Sequence, residues 1–146
     1  MILQVMFDSN IFDGLVSGKI STDLFNSENV RIYLTHIQID EINNCKDVEK
    51  RAKLFLFMIE LNPKKIATES FIIGTSRLGS AKLSDGNIIE TLRGGNLKHT
   101  NDALIGETAI KNNLILITND LTFRKRVENL GGRVMSLEQL KNSITI

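Results

Sequence analysis

Short apolar runs alternate with amphipathic segments along most of the chain, a rhythm that predicts strands alternating with helices. Leu3 to Phe7 reads as a short buried strand. Asp8-Ser9-Asn10 follows it, then a helical pattern over Ile11 to Val16 that loosens around Gly14 and Gly18. Val30 to Leu34 has the β-branched and aromatic content of a second strand. Thr35 stands where an N-cap would stand, with Ile37, Ile39 and Ile42 in the helix behind it. Asp47 to Leu61 predicts a longer helix whose charged first half sets Glu49 against Lys53 at i,i+4 spacing. The second half, Leu54 to Ile59, is apolar without a break, so it needs cover on more than one side, from the rest of the monomer or from a partner chain. Asn62-Pro63 ends it.

Residues 64 to 100 carry a weaker pattern. A third strand falls at Lys65 to Thr68 or at Phe71 to Ile73, and Ser84 to Leu92 suits a short helix capped by Ser84 or Asp85. Beyond it the rhythm returns. Asn101 to Asn112 reads as a helix, Leu114 to Ile117 as a strand and Leu121 to Leu130 as a helix; Gly131-Gly132, a strand at Arg133 to Met135 and a helix from Leu137 complete the chain. This alternation implies an α/β fold of three α/β/α layers, a parallel sheet with helices on both faces. Without an internal repeat or a low-complexity linker, residues 1–146 form a single domain.

Composition narrows the function classes. With 42% hydrophobic and 24% charged residues, the chain is that of a soluble globular protein. Cys45 is the single cysteine, so no internal disulfide forms, and the absence of Cys/His clusters argues against structural zinc. Cys45 itself reads as an ordinary half-buried thiol. Met1 to Phe7 is short, lacks a basic leader and is interrupted by Asp8, unlike a signal peptide. No apolar run reaches bilayer length, and a cytoplasmic location is the expectation. The net charge of +1 does not announce a nucleic-acid partner, which would have to be gripped by a local basic patch.

The candidate chemistry is acidic. Two predicted strands run straight into carboxylates, at Asp8 and at Thr118-Asn119-Asp120, and ligands of open parallel sheets bind beyond the carboxyl ends of the strands. Asp102 opens the helix that runs back antiparallel to the Leu114 strand, which places it on the same rim, and Glu41 reaches that rim from the helix after Val30–Leu34. Carboxylates gathered there repel one another unless a cation is present, and an all-oxygen donor set favours Mg²⁺ or Mn²⁺. Each acid also has a local reading. Asp102 suits a helix dipole, Asp8 and Asp120 suit N-caps, and Glu41 suits a solvated helix face. Their joint position at strand ends and helix starts favours the metal reading.

Four segments carry a resemblance: Phe7-Asp8-Ser9-Asn10-Ile11-Phe12, Asp40-Glu41-Ile42, Asn101-Asp102-Ala103-Leu104-Ile105 and Leu116-Ile117-Thr118-Asn119-Asp120-Leu121-Thr122-Phe123. In order, spacing and flanking apolar residues they resemble the PIN-domain nucleases, VapC-type toxin ribonucleases among them, over the whole chain. The resemblance implies a parallel five-stranded sheet and an Mg²⁺- or Mn²⁺-dependent endoribonuclease acting on RNA, as in the toxin halves of toxin–antitoxin pairs. It makes Asp8, Glu41, Asp102 and Asp120 the catalytic, metal-binding acids, with Ser9, Asn10, Thr118 and Asn119 holding them. Thr122 stands where many members carry a further acid, which leaves a second metal position unsupported, and residues 68–98 are longer and richer in glycine than in the compact toxins.

Basic residues flank the acids. Lys98 and His99 precede Asp102, and Arg124, Lys125 and Arg126 follow Asp120. Lys98, Arg124 and Arg126 are candidates for positioning substrate phosphates, with Arg77, Lys82 and Arg93 looser ones and His99 a secondary candidate base. An antitoxin and a homodimer built on the Leu54–Ile59 helix are the expected protein partners. A role in RNA maturation, or an inactive PIN-like module that binds RNA or protein, is the alternative. An aspartyl-phosphate phosphatase would want an acid at position 10, which is Asn, and a receiver domain would want a lysine where Asn119-Asp120 stands.

Overall fold

A strand that is apolar on both faces can be buried only in a sheet covered on two sides, and β1 (Leu3–Phe7) is used in this way. The computed structural model describes residues 2–18, 22–25, 28–68 and 100–144. In it β1 is the middle of five parallel strands, with β2 (Val30–Leu34), β3 (Lys64–Lys65), β4 (Ile115–Ile117) and β5 (Arg133–Met135) in the order β3-β2-β1-β4-β5. The register sets Val5 beside both Ile32 and Ile115, and Phe7 beside Ile117.

Successive side chains of the strands enter two separate cores. Val5, Phe7, Ile32, Leu34, Ile115 and Ile117 face one, and Met6, Tyr33 and Leu116 face the other. The first core is closed by α1 (Asn10–Ser17), a 3₁₀ turn (Thr22–Phe25), α3 (Val48–Leu61) and α6 (Leu137–Ile144). The second is closed by α4 (Thr100–Lys111) and α5 (Leu121–Asn129), while α2 (His36–Asn43) gives Ile42 to the first and Ile37 to the second. The result is the expected three-layer α/β/α arrangement, a five-stranded parallel sheet flanked by six α-helices among the described residues. No described helix is long and apolar enough to cross a membrane.

The expected bounds of β1, β2 and β5 match the observed ones. The third strand is a two-residue edge at Lys64–Lys65, paired with Tyr33 and Leu34, shorter than expected and shifted toward the N-terminus. The alternative at Phe71 to Ile73 and the expected helix at Ser84 to Leu92 lie outside the described residues. Thr35 caps α2 through a reciprocal capping box with Gln38. Asp47 caps α3, and Asn62 ends it in a left-handed conformation before Pro63.

Helix α3 is covered less completely than its apolar run requires. Leu54 and Leu61 are buried, but Leu56 and Ile59 are 58% and 67% exposed, with Val48 bare at the start of the helix. One flank of the helix is therefore left uncovered among the described residues.

After α5 the chain turns through Gly131, at φ +84°, a conformation that favours glycine. Gly132 then passes so close to α5 that an added Cβ would lie 2.5 Å from a Val127 methyl and 3.0 Å from the Val127 carbonyl oxygen. Gly132→Ala is therefore expected to cost about 1–3 kcal/mol by overpacking, read as a lower urea midpoint at unchanged slope.

Candidate active site

The strand order reverses direction beside β1: the chain steps outward through β2 and β3, then returns to pair β4 against the other edge of β1. This switch point opens a crevice at the carboxyl ends of β1 and β4. Asp8 stands there. Its backbone N–H donates to the Ile117 carbonyl at 3.0 Å, one step beyond the ladder, and its side chain is only 4% exposed.

Both Asp8 oxygens are held. Oδ1 accepts from the Ser9 N–H at 2.9 Å, and Oδ2 accepts from the Thr118 hydroxyl at 2.8 Å. Burial pushes the Asp8 carboxyl up from 3.8 to about 7; Asp102 and Glu41 push the same way, while the bonds from Thr118 and Ser9 pull it back. Asp8 is thus a carboxylate whose neighbours add negative charge to its surroundings.

Glu41 approaches from α2. Its Oε2 accepts from the Ser9 hydroxyl at 2.8 Å, so one serine grips both acids. Its Oε1 is buried and finds no hydrogen-bond donor among the described residues. Burial raises the Glu41 pKa, the Ser9 bond lowers it and the charge of Asp102 raises it further. Ser9 occupies the N-cap of α1 yet makes no side-chain cap there, its hydroxyl being turned to Glu41 instead. Asp102, in the first turn of α4, is half-buried and acts on both acids.

Asp120 is placed differently. It caps α5, with Oδ1 accepting from Thr122 N–H at 3.0 Å and Phe123 N–H at 3.1 Å, and it is exposed. Its link to Asp8 runs through Thr118, whose hydroxyl oxygen accepts from the Asp120 N–H at 3.2 Å while donating to Asp8. The local capping reading therefore applies to Asp120 and not to Asp8. The structure gathers Asp8, Glu41 and Asp102 electrostatically and sets Asp120 on the rim beside them.

The remaining expected positions sort by contact. Asn10 is exposed on the first turn of α1, and Asn119 Oδ1 accepts from the Leu137 N–H at 3.3 Å, fastening the end of β4 to α6. Arg124 is paired with Glu128 at 2.7 Å, so its charge is already compensated. Lys98 and His99, with Arg77, Lys82 and Arg93, lie outside the described residues.

Sequence reasoning missed two features. A cleft of about 240 Å³ opens beside Glu41 and Ser9, walled by Asn10, Asp13, Ile42, Cys45, Lys50 and Leu54, with Lys50 and Asp13 paired across it at 3.0 Å. Gln38, completely buried, donates from Nε2 to the Phe7 carbonyl at 3.0 Å. The Thr35-x-x-Gln38 spacing was the available signal, since it marks a capping box.

Among the described residues no three His, Cys, Asp or Glu side chains form a ready-made cage around one point. The donor chemistry nonetheless fits a hard cation. Every candidate ligand is an oxygen, Glu41 Oε1 is buried without a donor among the described residues, and burial together with neighbouring charge raises the Asp8 pKa to about 7. Mg²⁺ commonly binds through one or two carboxylates while keeping several waters, so a partial set suffices.

No family model matches the chain, and no curated protein does. Solved structures do. PAE2754 from Pyrobaculum aerophilum is similar at a TM-score of 0.63 and 14% identity, covering 99% of this chain and 98% of that one. VapBC2 from Rickettsia felis, bound to a DNA fragment from its promoter, is similar at 0.59 and 20% identity over 92% and 98% of the two chains. VapBC-1 from nontypeable Haemophilus influenzae is similar at 0.52 and 17% identity, again over 92% and 98%. The chain shares its fold with these solved structures, and likeness at these identities concerns the fold alone.

The site predicts a pH signature. A folded pKa near 7 against 3.8 means that the fold prefers protonated Asp8. The stability this gives is fully present below the unfolded pKa and is lost as pH rises through the folded one, by at most about 4 kcal/mol. Glu41, raised in the same direction, deepens the slope. In chelator, Asp8→Asn should therefore be increasingly more stable than wild type as pH rises from about 4 to 8. A stability difference independent of pH in urea unfolding would contradict this.

Proposed function

We propose that the chain is a metal-dependent endoribonuclease that hydrolyses RNA phosphodiester bonds as the toxin of a toxin–antitoxin pair. The observation that carries the reading is Asp8: a buried carboxylate at the switch point of a parallel sheet, within electrostatic reach of Glu41 and Asp102. Such a cluster is tolerable when ionised only with a cation beside it. The PIN-like fold, shared with solved VapBC complexes, supports the same reading.

In this reading Asp8, Glu41 and Asp102 would hold Mg²⁺ or Mn²⁺, with Asp120 contributing from the rim. The cation, when bound, supplies Lewis-acid activation of water and charge neutralisation at the scissile phosphate. The chain's own residues do the rest. Thr118 and Ser9 fix the two Asp8 oxygens, so the acid meets its ligand in one orientation. Ser9 directs Glu41 Oε2 and leaves Oε1 available. Asn10, exposed at the start of α1, lines the cleft beside Glu41. Lys98, Arg124 and Arg126 remain the candidates for gripping RNA phosphates, Arg124 from its pairing with Glu128.

A partner chain belongs to the reading. The cleft beside Glu41 is walled by Asp13, Glu41 and Lys50, a negative balance that suits a cationic side chain of an antitoxin. The bare Leu56 and Ile59 flank of α3 suits a second copy of the chain.

Induced expression of wild type against Asp8→Asn, with mapping of cleaved cellular RNAs, tests the function. Wild type should arrest growth and leave new RNA ends, and Asp8→Asn should do neither while remaining folded. RNA cleavage without growth arrest would move the chain to an RNA-processing role, and full activity of Asp8→Asn would refute the assignment. Thr118→Val, which removes only the bond to Asp8 and the link to Asp120, should lower cleavage about 10–100-fold. Purified enzyme assayed at saturating Mn²⁺ gives that ratio.

A further inference from the structure

We infer that Gln38 is the positioning residue that sets Glu41 against Asp8, an inference that rests on the nuclease reading and deepens it. Gln38 is completely buried, and its single amide joins two elements that carry opposite sides of the site. Its Nε2 donates to the carbonyl oxygen of Phe7, the residue immediately before Asp8. Its Oε1 accepts from both the N–H and the hydroxyl of Thr35, the cap of α2. Glu41 lies three residues further along the same helix, so it shares a helix face with Gln38.

The geometry makes the amide a spacer. Asp8 is fixed to the end of β1, which is itself bonded to β4 through the Ile117 carbonyl. Glu41 is fixed to α2. The ladder between β1 and β2 sets the strands, but it does not set how α2 leans over the end of β1. The Gln38–Phe7 bond spans that gap from the helix side, and the Ser9–Glu41 bond spans it from the strand side. A donor and an acceptor in one planar group are needed to hold Phe7 and Thr35 together, which a carboxylate or an apolar side chain of the same size cannot supply. An ordinary capping-box glutamine needs only the acceptor, and the tie to Phe7 is additional.

Calorimetric titration with Mn²⁺ tests the inference on three proteins: wild type, Gln38→Met and Thr35→Val. Thr35→Val removes the cap hydroxyl from the same network and leaves the Phe7 tie in place, so it reports what loss of helix capping alone does. The Mn²⁺ dissociation constant should rise about 10–100-fold in Gln38→Met and little in Thr35→Val. At saturating Mn²⁺ the cleavage rate of Gln38→Met should recover most of its value. If Gln38→Met does not fold, Gln38→Asn replaces it, because the shorter amide keeps both polar groups but cannot reach Thr35 and Phe7 together. Unchanged Mn²⁺ affinity in the folded variant overturns the inference, as does an equal loss in Thr35→Val. A wild type that binds Mn²⁺ but cleaves no RNA would instead overturn the nuclease reading, and the affinity comparison would still decide the role of Gln38.

Discussion

Asp8 is where the sheet, the helices and the chemistry meet. A carboxylate that is 4% exposed loses most of its hydration, and here the compensation is a hydroxyl and a backbone N–H, with two further acids acting against it. The bond from Thr118 joins residues 110 apart in the chain, so it closes the two halves of the sheet over the carboxylate. This arrangement is unfavourable for an ionised acid on its own and becomes favourable beside a divalent cation. In the proposed reading, the feature that costs stability is the one that recruits the cation.

Local structure yields to that site in two places. Ser9 leaves the first turn of α1 without a side-chain cap so that its hydroxyl can hold Glu41. Gln38 does both jobs at once, capping α2 and reaching the Phe7 carbonyl. Asp120 shows the opposite balance, since it remains a regular N-cap and joins the site through its backbone N–H and Thr118. Departures from the simplest capping pattern thus concentrate around the carboxylates, as expected where function and local stability compete.

The fold was legible wherever burial was complete. β1 and β2 announce themselves as apolar runs because both faces of their carboxyl-terminal halves are covered, and the acid ending β1 marks the crevice. β3 was not legible in this way. It is two exposed lysines at the sheet edge, a short charged strand of the kind that discourages edge-to-edge pairing, and hydrophobic periodicity cannot register it. The apolar half of α3 gave its helix but not its surroundings, because sequence cannot separate Leu54, which is buried, from Leu56, which is bare. The nearness of Asp8, Glu41 and Asp102 to one another could be read from strand ends and helix polarity. The Gln38 tie could not, because it depends on where α2 passes over the end of β1.

The account turns on whether Asp8 lacks a compensating charge that a cation then provides. The direct measurement is the titration of the Asp8 side-chain carboxyl carbon by NMR, in chelator and again with Mg²⁺. The account predicts a midpoint near 7 without the cation and a clear fall when it is added. An Asp8 that titrates as an ordinary solvent-exposed aspartate, or one whose midpoint Mg²⁺ does not move, would contradict it.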